Sequence, residues 1–526
     1  MSIKDAPNRL SYSRSSGILT AMTHQRRPLF LLLAFIAVAT ILLVGYQVMK
    51  PKPKSVKREE WTTVFKGLGT LSSPRLADLN NDGILDLVMG AGGIEFKTSD
   101  SAIIAVDGAN GQLLWNVRAK DQIFGSPLFR DITGDGIPDV FMGGRAAEFK
   151  AIDGETGAVI WDYFTNSDNR SESDSGTYNF FSPQFIPDQD GDGFEELVVA
   201  AGGYVKALPH DPKRPPGRLL VLSSATGKRL AAAVMPDGFE IYMSVVVADF
   251  KKDGNLSIIF GTGGETLEGS LYKASLADLM KNDLSKATRL ESGQEKGFVA
   301  PPVLADITQD GIVDIIANAV NGRMIAIDGA TERVLWWVTI PKTEAYCSLA
   351  VGYFTDDGVP DFFTNYGIGT WPNLNRSVQL MVNGKTGRIA FQDSLGSFQE
   401  SSPLAFDYNR DGFDDALLSL NYNHFSTISN QLMVIDFHND TTYQISKRQY
   451  GANVASTPWL GDLDADGLLD LVYAHEINPV DLLSVKQKKG LKINKLKLAV
   501  PVQQNRIWGG YMGSEYNGIF QENKKY

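Results

Sequence analysis

Residues 78–86 read DLNNDGILD, with acidic or amide side chains at offsets 0, 2, 4 and 8 and glycine at offset 5. Alone, the stretch fits a polar turn, a calcium loop or the start of an EF-hand. Its recurrence decides between them. The pattern returns as DITGDGIPD at 131, DQDGDGFEE at 188, DFKKDGNLS at 249, DITQDGIVD at 306, YFTDDGVPD at 353, DYNRDGFDD at 407 and DLDADGLLD at 462. Successive starts lie 53, 57, 61, 57, 47, 54 and 55 residues apart. Self-similarity at that period marks a repeat architecture.

Short segments such as SSPRLA, GSPLFR, APPVLA and STPWLG precede the loops, and apolar runs such as LVMGAGG, LVVAAGG and LVYAHE follow them. Two apolar runs around an Asp/Asn/Gly loop read as a β-hairpin. A second hairpin signal follows in most repeats, as in AVDGANGQLLW (105), AIDGETGAVIW (151), VLSSATGKRLA (221), AIDGATERVLW (326) and MVNGKTGRIAF (381). Four antiparallel strands per repeat of about 50 residues describe a propeller blade. The expected fold is therefore an all-β propeller of eight blades, with seven as the alternative, preceded by one transmembrane helix. Trp61 lies 17 residues before Asp78, as Trp115 lies 16 before Asp131 and Trp336 lies 17 before Tyr353. Residues 61–65 are thus expected to be an outermost strand without a blade of their own. They would complete the eighth blade against NKLKLAVPV and so remove an open edge.

The loops have the chemistry of a hard-cation site. Calcium takes six to eight oxygens at about 2.3 to 2.6 Å, and the glycine at offset 5 lets alternate side chains converge. The donors expected in the first loop are Asp78, Asn80, Asp82, the Ile84 carbonyl and Asp86. Those of the second are Asp131, Thr133, Asp135, Ile137 and Asp139, and of the third Asp188, Asp190, Asp192, Phe194 and Glu196. In the fifth they are Asp306, Thr308, Asp310, Ile312 and Asp314. The seventh offers Asp407, Asn409, Asp411, Phe413 and Asp415, and the eighth Asp462, Asp464, Asp466, Leu468 and Asp470. An EF-hand needs a glutamate at the twelfth position, where this chain has Met89, Met142, Val199 and Tyr473. A bare turn does not call for the carboxylate at offset 8. The loop at 249 carries Lys251 and Ser257 at ligand positions, and the loop at 353 begins with Tyr353. Both are expected to be metal-free, with Lys251 as an internal cation. About six structural calcium ions would bring the formal charge of −11 to about +1.

Residues 29–49, LFLLLAFIAVATILLVGYQVM, carry no charge over 21 positions, enough at about 1.5 Å per residue to cross a bilayer. The expected organisation is a tail over 1–28, a signal-anchor helix over 29–49, a basic linker over 50–60, the propeller over 61–515 and a C-terminal tail over 516–526. Five basic residues on each side of the apolar run leave orientation undecided by charge. Loops of this open kind suit extracellular calcium, at dissociation constants of about 10⁻⁴ to 10⁻³ M. That places residues 1–28 in the cytoplasm and the propeller in the periplasm or outside the cell.

Repeats of D-x-[DN]-x-D-G-x-x-D in a hairpin resemble the FG-GAP or VCBS repeats of integrin α-like propellers. The A-[IV]-D-G-x-T-G-x-x-x-W hairpins are similar to those of quinoprotein-like propellers. The resemblance spans roughly residues 61–510. It implies a calcium-bearing extracytoplasmic propeller used in adhesion, surface assembly or carbohydrate-related work, though integrin-type rings have seven blades. Quinone-binding members carry an adjacent cysteine pair, and this chain has only Cys347. The five histidines show no HExxH spacing, and there is no G-x-S-x-G elbow or phosphate loop. No catalytic residue stands out, and a binding or assembly scaffold is favoured over a polysaccharide lyase or hydrolase on the same ring. No nucleic-acid partner is expected. In an antiparallel blade the acidic loops and the D-G-x-T-G turns share one face. The long segments at 164, 204, 368 and 421 fall on the other. Tyr204, His210, Trp371, Tyr422 and His424 in those segments are the candidates for stacking on sugar rings or anchoring a protein partner. For the metal, chelation with EDTA is expected to lower the melting temperature by several degrees. An unchanged melting curve, with no metal by elemental analysis, would defeat the calcium assignment.

Overall fold

Eight antiparallel sheets stand around a central axis in the computed structural model. It describes residues 58–521 apart from 166–178, 205–206, 209, 425–426, 478–487 and 503–506. The apolar segment 29–49, its tail and most of the basic linker lie outside the described residues. Among those described, no helix is long and apolar enough to cross a membrane.

Each blade runs from a short inner strand outward in chain order. Blade 1 comprises Arg75–Ala77, Asp86–Gly90, Ser99–Val106 and Leu113–Ala119, and blade 5 comprises Val303–Ala305, Asp314–Ala319, Arg323–Ile327 and Val334–Thr339. Blades 3, 6 and 7 each add one short extra strand. Middle strands lie between neighbouring blades and bury both faces, so they read as unbroken apolar runs such as Leu197–Ala201. Outermost strands alternate, as in Leu113–Ala119, where Trp115, Val117 and Ala119 point inward. The core is accordingly a ring of seams between blades rather than a single centre. One seam gathers Val88, Ile103 and Trp115 of blade 1 with Val140, Met142 and Ile152 of blade 2.

Tryptophans at the third position of these outer strands latch one blade to the next. The indole N–H of Trp115 donates to the Gly154 carbonyl at 2.8 Å, that of Trp161 to Ser224 at 2.7 Å and that of Trp336 to Gly384 at 2.7 Å. Three residues beyond each acceptor stands a glycine, Gly157, Gly227 or Gly387, with φ of +73°, +69° and +67°. A Cβ there would meet the tryptophan ring at 2.7, 2.5 and 2.6 Å, so the T-G of each turn is fixed both by its conformation and by the ring beneath it.

Closure follows the route the tryptophan spacing suggests. Arg58–Lys66 pairs antiparallel with Gly490–Pro501 as the outermost strand of blade 8, in register from Arg58 opposite Lys497 to Lys66 opposite Gly490. Trp61 then donates to Gly108 of blade 1 at 2.8 Å, which makes the last seam equivalent to the others. The propeller therefore begins at 58, and the last three residues of the expected linker belong to it.

The C-terminal segment 507–521 carries a feature the sequence pattern does not announce: it plugs the centre of the ring. Trp508 exchanges backbone hydrogen bonds with Ala405 of blade 7, at 2.9 and 3.2 Å, and Gly509 accepts from Leu460 of blade 8 at 2.7 Å. Gly518 and Phe520 bracket Leu304 of blade 5 at 2.8 Å each. The fully buried Arg75 of blade 1 donates to the Tyr511 carbonyl at 3.2 Å and lies 4.3 Å from the Tyr516 ring centroid. Gln184 of blade 3 donates to the Tyr516 carbonyl at 2.9 Å. The tail expected from residue 516 onward thus starts inside this plug. Trp508 is buried against Phe520 and the blade 6 and 7 core. Trp508→Ala is expected to cost ~3–5 kcal/mol, the usual range for emptying a buried aromatic site, read as a shift of the urea midpoint in the full chain.

Candidate functional site

On one face, the acidic loops fold around their own side chains. The first aspartate of each accepts backbone N–H groups from across the turn. Asp78 takes Asp82 and Gly83, Asp306 takes Asp310 and Gly311, and Asp462 takes Asp466 and Gly467, at 2.8–3.3 Å. Asp131 and Asp188 take Gly134 with Gly136 and Gly191 with Gly193, and these bonds hold both carboxyls below the ordinary aspartate range. Asp407 accepts from Arg410, Asp411 and Gly412. At offset 4, Asp82, Asp135, Asp192, Asp310, Asp411 and Asp466 accept the N–H of Ile84, Ile137, Phe194, Ile312, Phe413 and Leu468 at 2.8–3.0 Å. At offset 2, Asn80 and Asn409 accept from Asp82 and Asp411, while the Thr133 and Thr308 hydroxyls lie 3.4 and 3.5 Å from Asp131 and Asp306.

The carboxylate at offset 8 has a role of its own. Asp86 accepts from Leu79 in its loop and from Gly108 in the outer turn, both at 2.9 Å. Asp139 likewise joins Ile132 to Gly154, and Asp314 joins Ile307 to Gly329. Asp361 of blade 6 joins Thr355 to Gly384, although its loop begins with Tyr353. The expectation that offset 8 distinguishes an ion site from a turn is therefore corrected: in blades 1, 2, 5 and 6 this carboxylate serves backbone N–H groups of both hairpin turns, with or without a full ligand set. Burial pushes Asp86 and Asp361 up to about 6. In Asp415, burial and the neighbouring Asp436 push it to about 8.

Three groups of acids bring ligand oxygens within 4.8 Å of one another among the described residues. The first is Asp188, Asp190, Asp192 and Glu196 in blade 3. Glu196 lies 1 % exposed, its Oε1 has no hydrogen-bond partner among the described residues, and burial pushes it to about 7. An all-carboxylate donor set with a buried unpaired oxygen fits a hard divalent cation. The others, Asp462/Asp464/Asp466 and Glu60/Asp464/Asp470, lie together in blade 8 and already hold cations from the chain. Lys497 Nζ stands 2.6 Å from Asp464 and 2.5 Å from Asp466, and Lys495 Nζ 2.9 Å from Glu60 and 3.6 Å from Asp464. Burial works against the Lys497 charge, but Asp464 and Asp466 outweigh it and hold the ammonium above the ordinary lysine value. The internal cations are thus in blade 8, whereas Lys251 of blade 4 is exposed.

The opposite face opens into a mouth of about 730 Å³. Its wall comes from the segments that enter each blade and from the loops between second and third strands. Phe124, Phe181 and Tyr242 form a row with ring centroids 5.3 and 6.3 Å apart. Arg145 pairs with Glu95 at 2.6 Å and Arg214 with Glu240 at 2.5 Å. Glu344 accepts from Lys296 at 2.5 Å, from the Tyr346 hydroxyl at 2.6 Å and from the Trp371 N–H at 3.0 Å. Glu400 also lines the mouth, pushed up to about 7 by burial and by Glu265 across from it. Tyr511 of the plug forms part of the floor, 3.2 Å from the Ser244 hydroxyl.

The five aromatic candidates divide between two places. Tyr204 and Trp371 line the mouth. His210 is exposed beside it, its Nδ1 3.2 Å from the carbonyl of Thr266 on the rim. Tyr422 and His424 line a separate groove at blades 6 and 7. The ring-bearing wall residues Phe124 and Phe181 went unread because they precede the Ser-Pro of an inner strand. The aromatic one or two residues before Ser126-Pro127 and Ser182-Pro183 was the available signal.

The FAM234A/B beta-propeller model matches residues 80–406. The FAM234B protein of Mus musculus is 24% identical over 418 residues, covering 73% of this chain and 62% of that one. The Homo sapiens FAM234B is 22% identical over 417 residues, with the same shares. The chain thus spans less than two thirds of the length of the curated relatives it matches. Among solved structures, a europium-containing methanol dehydrogenase is 11% identical with a TM-score of 0.54, over 85% of this chain and 94% of that one. The quinohemoprotein alcohol dehydrogenase of Comamonas testosteroni is 11% identical at 0.53, over 86% and 78%. These likenesses carry the propeller fold alone, and neither they nor the family match extends to an integrin-type identity.

The raised carboxyls set a pH dependence. An acid whose folded value exceeds its unfolded one, ordinarily near 4, destabilises the fold as pH rises through the folded value. Glu196 takes that loss from about pH 4 up to about 7, and Asp415 from about pH 4 up to about 8. The buried His475, lowered to about 4 by desolvation, opposes it only below about 6.5. In EDTA, the melting temperature is therefore expected to rise when pH falls from 8 to 6.5. Millimolar calcium is expected to narrow the difference by stabilising the carboxylates at pH 8.

Proposed function

The chain belongs to the FAM234A/B β-propeller family, and from that premise we propose a single-pass membrane protein whose extracytoplasmic propeller binds a glycan in the mouth. The mouth carries this reading. Rings and hydrogen-bonding charged groups alternate around a closed-bottomed cavity of about 730 Å³, which suits a ligand with C–H faces and hydroxyl edges. The uncharged run over residues 29–49 supports the anchor. The blade 3 carboxylates support calcium at that loop, where the ion would stiffen the blade and take no part in ligand contact. The loops of blades 1, 2, 5 and 7 are proposed as further calcium sites on their sequence pattern, and in blade 8 Lys495 and Lys497 take part of the place of an ion.

A second reading, a carbohydrate-cleaving enzyme on the same ring, is favoured by one observation. Glu265 and Glu400 share the mouth, and the second is raised to about 7 by burial and by the first. A carboxyl held toward its protonated form inside a cleft is what the acid step of glycoside cleavage employs. Calorimetry of the full chain in detergent with a panel of neutral oligosaccharides separates the outcomes. Binding that weakens at least tenfold in Trp371→Ala and in Tyr204→Ala is expected. Retained affinity in both variants, or no binding across the panel, sinks the mouth as a glycan site. Release of shortened products, lost in Glu400→Gln, would establish the enzyme instead.

A further inference from the structure

The middle hairpins of blades 6 and 7 are longer than those of blades 1 to 5. Asp361–Thr370 with Asn373–Val382, and Asp415–His424 with Thr427–Asp436, each run ten residues a side. Between them lies a groove of about 890 Å³, apart from the mouth. We propose that this groove binds an anionic glycan, a uronate or sulfated sugar, through Arg376 and Arg448.

Charge is the first ground. The chain carries a formal −11, yet among the described residues no aspartate or glutamate lines the groove. Arg376 and Arg448 are exposed, and neither is paired with a carboxylate among the described residues. Arg376 Nη2 donates to the Ser394 hydroxyl at 3.2 Å. The Arg448 guanidinium lies 3.6 Å from the centroid of the Tyr422 ring, which fixes its plane and leaves its N–H edge for an incoming oxyanion. A planar fork held in this way suits a carboxylate or a sulfate. Behind it, Lys492 Nζ donates to Gln449 Oε1 at 2.6 Å and adds positive potential.

The remaining lining favours sugar over peptide. It consists of hydroxyl, amide and imidazole side chains with two tyrosines, and among the described residues it holds no aliphatic side chain. A peptide anchor needs an apolar slot. A sugar needs hydroxyl partners and a ring to stack on, and Tyr450, 71% exposed on the short strand that flanks the blade 7 hairpin, supplies the ring.

The test uses the full chain in detergent and four probes: a galacturonate tetramer, a heparin-derived tetrasaccharide, neutral cellotetraose and a phosphotyrosine peptide. At least one anionic oligosaccharide is expected to bind, and which one does assigns the source as carboxylate or sulfate. Its affinity is expected to fall with added salt and to drop at least tenfold in Arg376→Ala and in Arg448→Ala. Arg448→Lys, which keeps the charge and loses the fork, is expected to fall between. Lys281→Ala, an exposed cation of blade 4, is the control that should bind as the parent does. Matched melting curves verify that the variants fold, and both arginines are exposed. Cellotetraose binding as tight as the anionic sugars and equally lost in Arg376→Ala and Arg448→Ala, tighter binding of the phosphopeptide, no anionic binding, or affinity retained in the double alanine variant would each overturn the proposal.

Discussion

A glycine in the outer turn is the node that ties blades 1, 2 and 6 to their neighbours. Gly108, Gly154 and Gly384 each give their N–H to the buried carboxylate of their own blade, Asp86, Asp139 or Asp361. Each gives its carbonyl to the tryptophan of the blade before, Trp61, Trp115 or Trp336. One residue therefore joins the two hairpins of a blade and the blade to its neighbour. No side chain fits there, since a Cβ would stand 1.9–2.0 Å from the carbonyl oxygen of Leu85, Pro138 or Pro360. Such buried carboxylates would be costly without partners, and the two backbone N–H groups supply them.

This node explains why the acidic motif outlasts the ligand set. Blade 6 has lost the first aspartate but keeps Asp361, because losing it would strand the N–H groups of Thr355 and Gly384. Ion binding, where the oxygens converge as in blade 3, adds to a frame that already exists. It also assigns the faces: one is committed to holding blades together, while the other is free to vary in length and chemistry.

The repeat was legible because one acidic hairpin pattern recurs eight times with nearly the same letters. Blade number, strand order and closure by Arg58–Lys66 follow from the spacing of the acidic loops and tryptophans. The plug was not legible, since residues 507–521 satisfy their backbone against inner strands of several blades, through contacts such as Leu304 with Gly518 that have no sequence period. The mouth was half legible: Tyr204 and Trp371 stand out in long loops, whereas Phe124 and Phe181 hide in the approach to inner strands. Lys495 and Lys497 read as ordinary alternating residues of a strand, and only the fold brings them over the acidic loop of the same blade.

Those lysines bear on how the ring stays shut. Blade 8 is the only one built from both ends of the described chain, so its outer strand is held by noncovalent pairing alone. It is also the blade whose acidic loop is partly offset from within, by two lysines. Lys495 reaches Glu60 on the closing strand at 2.9 Å and Asp464 in the loop at 3.6 Å. The same ammonium thus fastens the N-terminal strand and offsets part of the charge that a metal would otherwise have to cancel. A loop dependent on a weakly bound ion would open whenever the ion left, and at this blade that would free the strand that closes the ring. Internal cations reduce that dependence at the one seam where it would unlock the whole circle.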